Sequence, residues 1–147
     1  MRKIYSIVLL LTLFSATSTF CFGQKETNDS LNTVVTAIAV HDVYEASYTV
    51  GFAGTVSKQY LLFKQLLSLA TDQQLADLAA QNQNAVVRLY AFQALKQKKA
   101  NIPNSLLEQF QHDNTIVTSL NGCDGHKMKV KALANQQLRF AQELTKQ

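Results

Sequence analysis

Residues 84–95 read NAVVRLYAFQAL, and they carry the clearest helical pattern in the sequence. Apolar side chains recur there every three or four residues, the spacing that puts them on one face of an α-helix. That face consists of Val87, Tyr90, Ala91, Ala94 and Leu95. Because Leu89 and Phe92 add a second apolar flank, the sequence predicts a helix that neighbours cover on more than one side.

Similar patterns on both sides of this stretch predict further helices joined by short turns. Upstream, the apolar spacing predicts helices over residues 31–39, from Thr55 or Ser57 to about residue 70, and over residues 72–81. Downstream, it predicts helices over residues 105–112 and from about Met128 onward. Thr71 with Gln74, and Ser105 with Glu108, have the spacing of capping boxes at helix starts.

Two segments are not clearly helical. Residues 43–50 could extend the first helix, and Gly51 and Gly54 would then form a tight turn between helices. Residues 115–120 contain Thr, Ile and Val, which favour a strand, but no partner strand is evident. We expect extended or irregular chain there, with the beginning of a helix as the alternative. The sequence therefore predicts an all-α domain.

The stretch 84–95 resembles the second helix of a HEAT repeat. A polar turn at Asn84 leads into Val87-Arg88, and Ala91, Ala94 and Leu95 match the packing positions of that family. The preceding helix would be the first helix of the repeat, so the likeness covers residues 72–98. Over residues 24–147 the chain also resembles small exported bacterial proteins of unassigned function.

The resemblance implies a short stack of antiparallel helical hairpins that presents a surface to another protein. It also implies a structural role for Arg88. This residue would hold the turn between the two helices through hydrogen bonds to nearby carbonyl groups, or to a carboxylate such as that of Asp72.

The start of the chain has the organisation of a secretory signal peptide. A basic beginning at Arg2 and Lys3 is followed by an apolar run over residues 7–14 and then a polar stretch. The run is too short to cross a bilayer, which needs about 20 apolar residues. We expect residues 1–23 to be a cleaved signal peptide, residues 24–30 a flexible leader and residues 31–147 one domain. The protein would then be periplasmic or secreted, with no membrane span.

Composition and charge limit the class of partner. The chain has 147 residues, 47% hydrophobic and 16% charged, as expected of one globular domain. Loss of Arg2 and Lys3 would lower the 14 basic residues to 12, against 10 acidic residues. A net charge of about +2 is too small for a nucleic-acid-binding surface. We therefore expect a protein partner rather than nucleic acid.

Candidate chemistry centres on Cys123, Asp124 and His126. The Cys-x-x-His spacing could bind a metal or pair a nucleophile with a base. A plain turn with a packed cysteine is the favoured interpretation, since free cysteines are usually buried. His41 and Glu45 could form an ion pair, but two ligands do not make a zinc site. We expect no metal and no cofactor.

Four aromatic residues, Tyr44, Tyr48, Phe52 and Tyr60, gather around the glycines of the first turn. They could form a partner surface, because such residues are enriched in interface cores, or they could be ordinary core. The sequence thus favours a non-catalytic, exported interaction module that is a monomer or weak dimer. The alternative is a small thiol- or metal-dependent enzyme centred on Cys123 and His126.

We expect the exported protein to begin at Gln24, because Cys21 and Gly23 are the small residues at the cleavage site. Intact-mass analysis of protein recovered from outside the cytoplasm should show the loss of residues 1–23. A retained Met1, or a lipid on Cys21, would contradict this prediction.

Overall fold

The computed structural model describes residues 20–144, and the side chains of residues 27–139. In this part of the chain the elements follow in the order α1 (Phe20–His41), β1 (Val43–Val50), β2 (Thr55–Val56), α2 (Lys58–Leu69), α3 (Asp72–Gln81), α4 (Ala85–Gln97), α5 (Asn104–His112), β3 (Ile116–Gly122), β4 (Asp124–Lys129) and α6 (Val130–Leu144). The strands form one mixed sheet in the order β2-β1-β3-β4.

The predicted all-α fold, and with it a pure stack of HEAT-like hairpins, is wrong, because two segments far apart in the chain pair as strands. β1 lies parallel to β3, with Tyr44 opposite Ser119. β4 then lies antiparallel to β3, with Met128 opposite Val117. Residues 115–120 had no evident partner strand in the sequence, and their partners are β1 and β4. The apolar pattern of the sequence had joined β1 to the first helix. The result is a mixed α/β fold.

The first helix ends at His41 because the next residue turns the chain. Asp42 has a φ of 51°, the left-handed conformation that Asp tolerates better than most residues. Its N–H still donates to the Ile38 carbonyl, at 3.2 Å. Asn84 Nδ2 donates to the Asp42 carboxylate at 2.7 Å, which ties this turn to the start of α4. Residues 43–50 are consequently a strand and do not extend the helix.

Helix α4 occupies the centre of the helical layer. Nine of its 13 residues are buried, including Val86, Leu89 and Phe92 outside the predicted face. It packs against α1, α2, α3 and α6 and against β1. The second apolar flank, Leu89 and Phe92, thus correctly predicted a helix that is covered on more than one side.

Side chains from two helices satisfy the backbone along the free edge of β1. The Tyr90 hydroxyl donates to the Glu45 carbonyl at 3.0 Å and accepts from the Glu45 N–H at 2.8 Å. Gln59 Nε2, from α2, donates to the Val43 carbonyl at 3.0 Å. Buried backbone groups need such partners, and here side chains take the place of a further strand. Burial raises the pKa of the Tyr90 hydroxyl far above its ordinary value.

Helices α3 and α4 form a hairpin with a well-defined turn. The capping box predicted at Thr71 and Gln74 is confirmed. Arg88 donates through Nη1 to the carbonyls of Asn82 and Gln83, at 2.9 and 3.1 Å. Its carboxylate partner is Asp113, at 2.6 Å, rather than Asp72.

The Arg88 side chain therefore joins the hairpin turn to the connection between α5 and β3. Burial raises the pKa of Asp113, but the hydrogen bonds from Thr115 and Arg88 outweigh burial and leave that pKa below its ordinary value.

Three other expectations concern the ends of elements. The capping box predicted at Ser105 and Glu108 is wrong, since α5 begins at Asn104, after Pro103, without a side-chain cap. Residues 24–30, expected as a flexible leader, belong to α1, and Gln74 Nε2 donates to Asn28 at 2.9 Å. Residues 1–19 of the predicted signal peptide lie outside the described residues. None of the described helices is long and apolar enough to cross a membrane.

Replacing Tyr90 by Phe should lower the free energy of unfolding by about 1–3 kcal/mol, because the buried N–H and C=O of Glu45 lose their partner. The matched control is Tyr48→Phe, whose ring is exposed and should change stability by less than about 0.5 kcal/mol. Urea denaturation monitored by circular dichroism measures both variants. Equal stability of Tyr90→Phe and wild type would show that these bonds do not hold β1 to α4.

Candidate interaction site

Two turns meet at the end of the sheet where the parallel strands β1 and β3 finish. The first joins β1 to β2 through residues 51–54, and the second joins β3 to β4 around Cys123. We call these two turns the sheet tip. In open sheets, the carboxyl ends of parallel strands are the usual location of binding sites.

Two hydrogen bonds join the two turns, and a third joins the second turn to β1. The Gly51 N–H donates to the Gly122 carbonyl at 2.9 Å. The Gly122 N–H donates to Ser47 Oγ at 2.8 Å, and Cys123 Sγ donates to the Gly51 carbonyl at 3.3 Å. Ser47 acts where the β1–β3 register is irregular, between Glu45 and Val50, so its hydroxyl replaces a missing ladder contact.

Positive φ angles at two glycines shape the tip. Gly51 has φ 72°, which turns the chain sharply after β1, and Gly122 has φ 59° at the first of the two positions between the paired residues Asn121 and Asp124. The turn at Gly122 has the pattern of a type II′ hairpin turn, whose first central residue is usually glycine. Side chains are strained in this conformation, so the turns depend on glycine here.

Exposed apolar side chains are concentrated in residues 48–61, the segment that contains the β1–β2 turn. Phe52 is fully exposed at the β1–β2 turn, while Tyr48, Val56 and Leu61 are 54%, 47% and 44% exposed. We call these four residues the tip surface. Val56 lies opposite Thr49 in the ladder, so its side chain and that of Tyr48 project from the two faces of the sheet at this end. Only two other large apolar residues of the described part are exposed, Val40 and Ile116. Since isolated exposed apolar residues are ordinary but groups of them mark interaction sites, their concentration in residues 48–61 makes this end of the sheet the candidate site.

Packed aromatic rings support the tip surface from below. Tyr48 meets Tyr60 edge-on, with ring centroids 6.0 Å apart, and Tyr60 contacts Phe63 at 5.8 Å. Phe63 stacks on Tyr90 at 5.4 Å. An unbroken row of rings thus runs from the surface to the central helix, and it fixes the position of the exposed Tyr48.

The structure separates the four aromatic residues that the sequence grouped as a possible partner surface. Tyr48 and Phe52 belong to the tip surface, and Tyr60 lies half-buried directly behind Tyr48. Tyr44 is only 3% exposed, so its assignment to a partner surface is wrong. Its side chain points into the helical layer, where its hydroxyl donates to Gln93 and accepts from Gln137. Burial raises the pKa of Tyr44 to about 12.

Cys123, Asp124 and His126 also lie at the sheet tip, where the thiol and the imidazole have different partners. Cys123 is exposed, contrary to the expected burial, because its turn projects from the end of the sheet. Its thiol donates to Gly51, whereas His126 Nε2 contacts Asp124 at 2.8 Å. Among the described residues no three His, Cys, Asp or Glu side chains converge to hold a metal ion.

A second polar cluster surrounds the buried carboxylate of Glu45. One of its oxygens contacts His41 Nε2 at 3.2 Å, and the other accepts from Ser57 Oγ. Ser57 is the N-cap of α2 and accepts from the Tyr60 N–H at 2.7 Å. The Ser57 hydroxyl is therefore both a donor, to Glu45, and an acceptor, from Tyr60. The cluster fixes the start of α2 against β1.

A shallow groove of about 480 Å³ lies between α1 and α3. Its polar lining is mainly amide groups, including those of Asn28, Asn32 and Gln81, and its one ionisable side chain is Asp77. General acid–base chemistry requires a positioned proton donor or acceptor beside the substrate. Asp77 already accepts a hydrogen bond from Gln73, and no second titratable group faces it across this groove.

Sequence reasoning missed Val56, Leu61 and Ser47 as components of the tip. A local signal did exist for the first of them. β-Branched residues stand on both sides of the Gly51-x-x-Gly54 stretch, which is typical of a β-hairpin. Ser47 had no such signal, because its role depends on Gly122 in a distant segment.

No protein-family model matches the chain, and no curated protein is significantly similar to it. The assignment of function consequently depends on the geometry of the described residues.

The thiol of Cys123 should react with Ellman's reagent in the folded protein within about tenfold of the rate in urea, because it is exposed. The rate should not change by more than about twofold in His126→Ala, since His126 contacts Asp124 rather than the thiol. Labelling that slows strongly in His126→Ala would contradict this prediction and favour a thiol-based enzyme.

Proposed function

We propose that the protein is an exported, non-catalytic interaction module whose protein partner binds at the tip surface. The observation that carries this proposal is the full exposure of Phe52 at a turn held by hydrogen bonds, with Tyr48 and Val56 exposed in the two strands that the turn joins. An exposed Phe of this kind has a free-energy cost in water that a partner removes by covering it.

The construction of the tip favours binding energetically. Association costs less when the binding groups are already fixed in place, because fewer side-chain rotations are lost. The bonds between Gly51, Gly122 and Cys123 hold the backbone of the two turns, and the ring contact with Tyr60 holds the side chain of Tyr48. Central aromatic anchors of this type commonly dominate the energy of protein interfaces.

The HEAT-like hairpin α3–α4 supports the proposal as a scaffold rather than as the binding surface. The packing positions Ala91, Ala94 and Leu95 are buried in the protein's own core. We therefore propose that the hairpin is HEAT-like and that the partner binds at the tip surface rather than on the hairpin. Export is supported by the basic start, the apolar run over residues 7–14 and the small residue Gly23 at the cleavage site.

Replacing Phe52 by Ser should weaken partner binding by roughly thirtyfold, the effect of losing about 2 kcal/mol at a central aromatic anchor. The matched control is Ile116→Ser, which removes an exposed apolar side chain at the opposite end of β3. Both variants should unfold within about 0.5 kcal/mol of wild type, since both side chains are exposed. Capture from the envelope and medium of the exporting cell, followed by titration of the captured protein, compares them.

Binding that is equal in Phe52→Ser and wild type, or reduced equally in Ile116→Ser, would contradict the proposal. Sedimentation of the purified protein tests whether the tip surface binds a second copy of the chain. We expect a monomer or weak dimer, and a stable dimer that Phe52→Ser dissociates would show that the tip binds a second copy of the chain.

A further inference from the structure

The outer strand of the sheet, β4, has an open edge. It is the last strand in the order β2-β1-β3-β4, so no strand among the described residues covers its far side. Five of its six residues are exposed, and Met128 is intermediate. The other end of the sheet differs, because β2 has only two residues and side chains from α2 and α4 satisfy the neighbouring edge of β1.

The register identifies the backbone groups that face outward on β4. The Val130 N–H donates to the Thr115 carbonyl at 2.9 Å, which makes this a hydrogen-bonded pair of the antiparallel ladder. Bonded and non-bonded pairs alternate along such a ladder. His126 and Met128, opposite Ser119 and Val117, therefore bond to β3.

The intervening residues Gly125, Lys127 and Lys129 then direct their backbone toward the open side. Gly125 and Lys127 each contribute one N–H and one C=O, and Lys129 contributes its N–H, since its carbonyl, at the N-cap position of α6, accepts the first hydrogen bond of that helix. Together they make a five-group template for a further strand.

Two lysine side chains accompany this template. Lys127 lies opposite Thr118, and Lys129 lies opposite Ile116; both partners are exposed. All four side chains are on the face of the sheet away from the buried Val117 and Ser119. Neither lysine forms an ion pair with any described side chain. Side chains directly opposite each other on neighbouring strands interact, so an incoming strand meets both ammonium groups on one face.

We infer that β4 binds an extended acidic segment of another protein by strand addition. Acidic residues at alternate positions of that segment would lie opposite Lys127 and Lys129, while its backbone bonds to Gly125, Lys127 and Lys129. A second copy of this chain fits poorly. Pairing two β4 edges antiparallel would place the lysines of both copies against one another, and like charges directly opposite destabilise a sheet.

This inference concerns a different surface from the tip surface. A partner could contact both, but the β4 edge requires neither Phe52 nor Tyr48. The Phe52→Ser variant should therefore bind an acidic strand as well as wild type does. A negative result for strand addition at β4 can therefore be distinguished from a negative result for partner binding at the tip surface.

The test uses the fluorescein-labelled peptide Thr-Glu-Val-Glu-Val-Glu-Thr, blocked at both ends, and fluorescence anisotropy. Charge reversal in the double variant Lys127→Glu/Lys129→Glu should weaken binding by at least about tenfold. The matched control Lys58→Glu/Lys64→Glu changes the net charge equally on exposed positions of α2 and should weaken binding by less than about threefold. A peptide whose three Glu residues carry N-methyl groups should bind more weakly, because the edge that places Glu opposite the lysines lacks its N–H donors.

Amide hydrogen exchange gives a readout that does not depend on the variants. The peptide should protect the outward amides of Gly125, Lys127 and Lys129, while those of His126 and Met128, already bonded to β3, should change little. No binding at millimolar peptide, equal binding of the N-methylated peptide, or equal weakening by the α2 control would overturn the inference. The lysines would then serve only to prevent edge-to-edge association.

Discussion

The hydroxyl of Tyr90 joins the two layers of this protein. It is the only group of α4 in direct hydrogen-bond contact with the backbone of β1 among the described residues, and it satisfies both the N–H and the C=O of Glu45. Because α4 packs against most other helices, a polar contact at this position fixes the whole helical layer relative to the sheet. The same ring stacks on Phe63 and lies beside Tyr44, so one side chain contributes hydrogen bonds and apolar packing together.

The helical part of the fold could be predicted because its signals are local. Residues 84–95 repeat an apolar face over three turns, and Thr71 with Gln74 forms the capping box that their spacing indicates. The sheet could not be predicted in the same way. β1 follows α1 after a single turning residue, Asp42, and its apolar residues continue the preceding pattern. Its partner β3 comes only after four helices, and pairing over such a separation leaves no periodic trace in the sequence.

The candidate site was predicted in its parts rather than as a whole. Aromatic character around Gly51 indicated Tyr48, Phe52 and Tyr60, but residue type alone does not distinguish the buried Tyr44 from the exposed Tyr48. The two residues are four positions apart in the chain, and the β1–β3 register becomes irregular after Glu45. The thiol cluster and the aromatic group came from unrelated segments, and the parallel pairing of β1 with β3 brings Cys123 against Gly51. Two separate hypotheses from the sequence thus concern one end of the same sheet.

The placement of four helices between the paired strands β1 and β3 has a consequence for biosynthesis. A chain made from its N-terminus completes β1 and the α3–α4 hairpin well before Ile116 exists. The hairpin depends on nearby contacts and can form early, whereas joining β1 to β3 closes a long loop and comes late. During this interval the side of β1 that later receives β3 has no strand partner, while Tyr90 and Gln59 already cover the other side. A nascent chain of this topology is therefore most vulnerable to mispairing just before its last two strands emerge, which is the stage at which a chaperone would protect it.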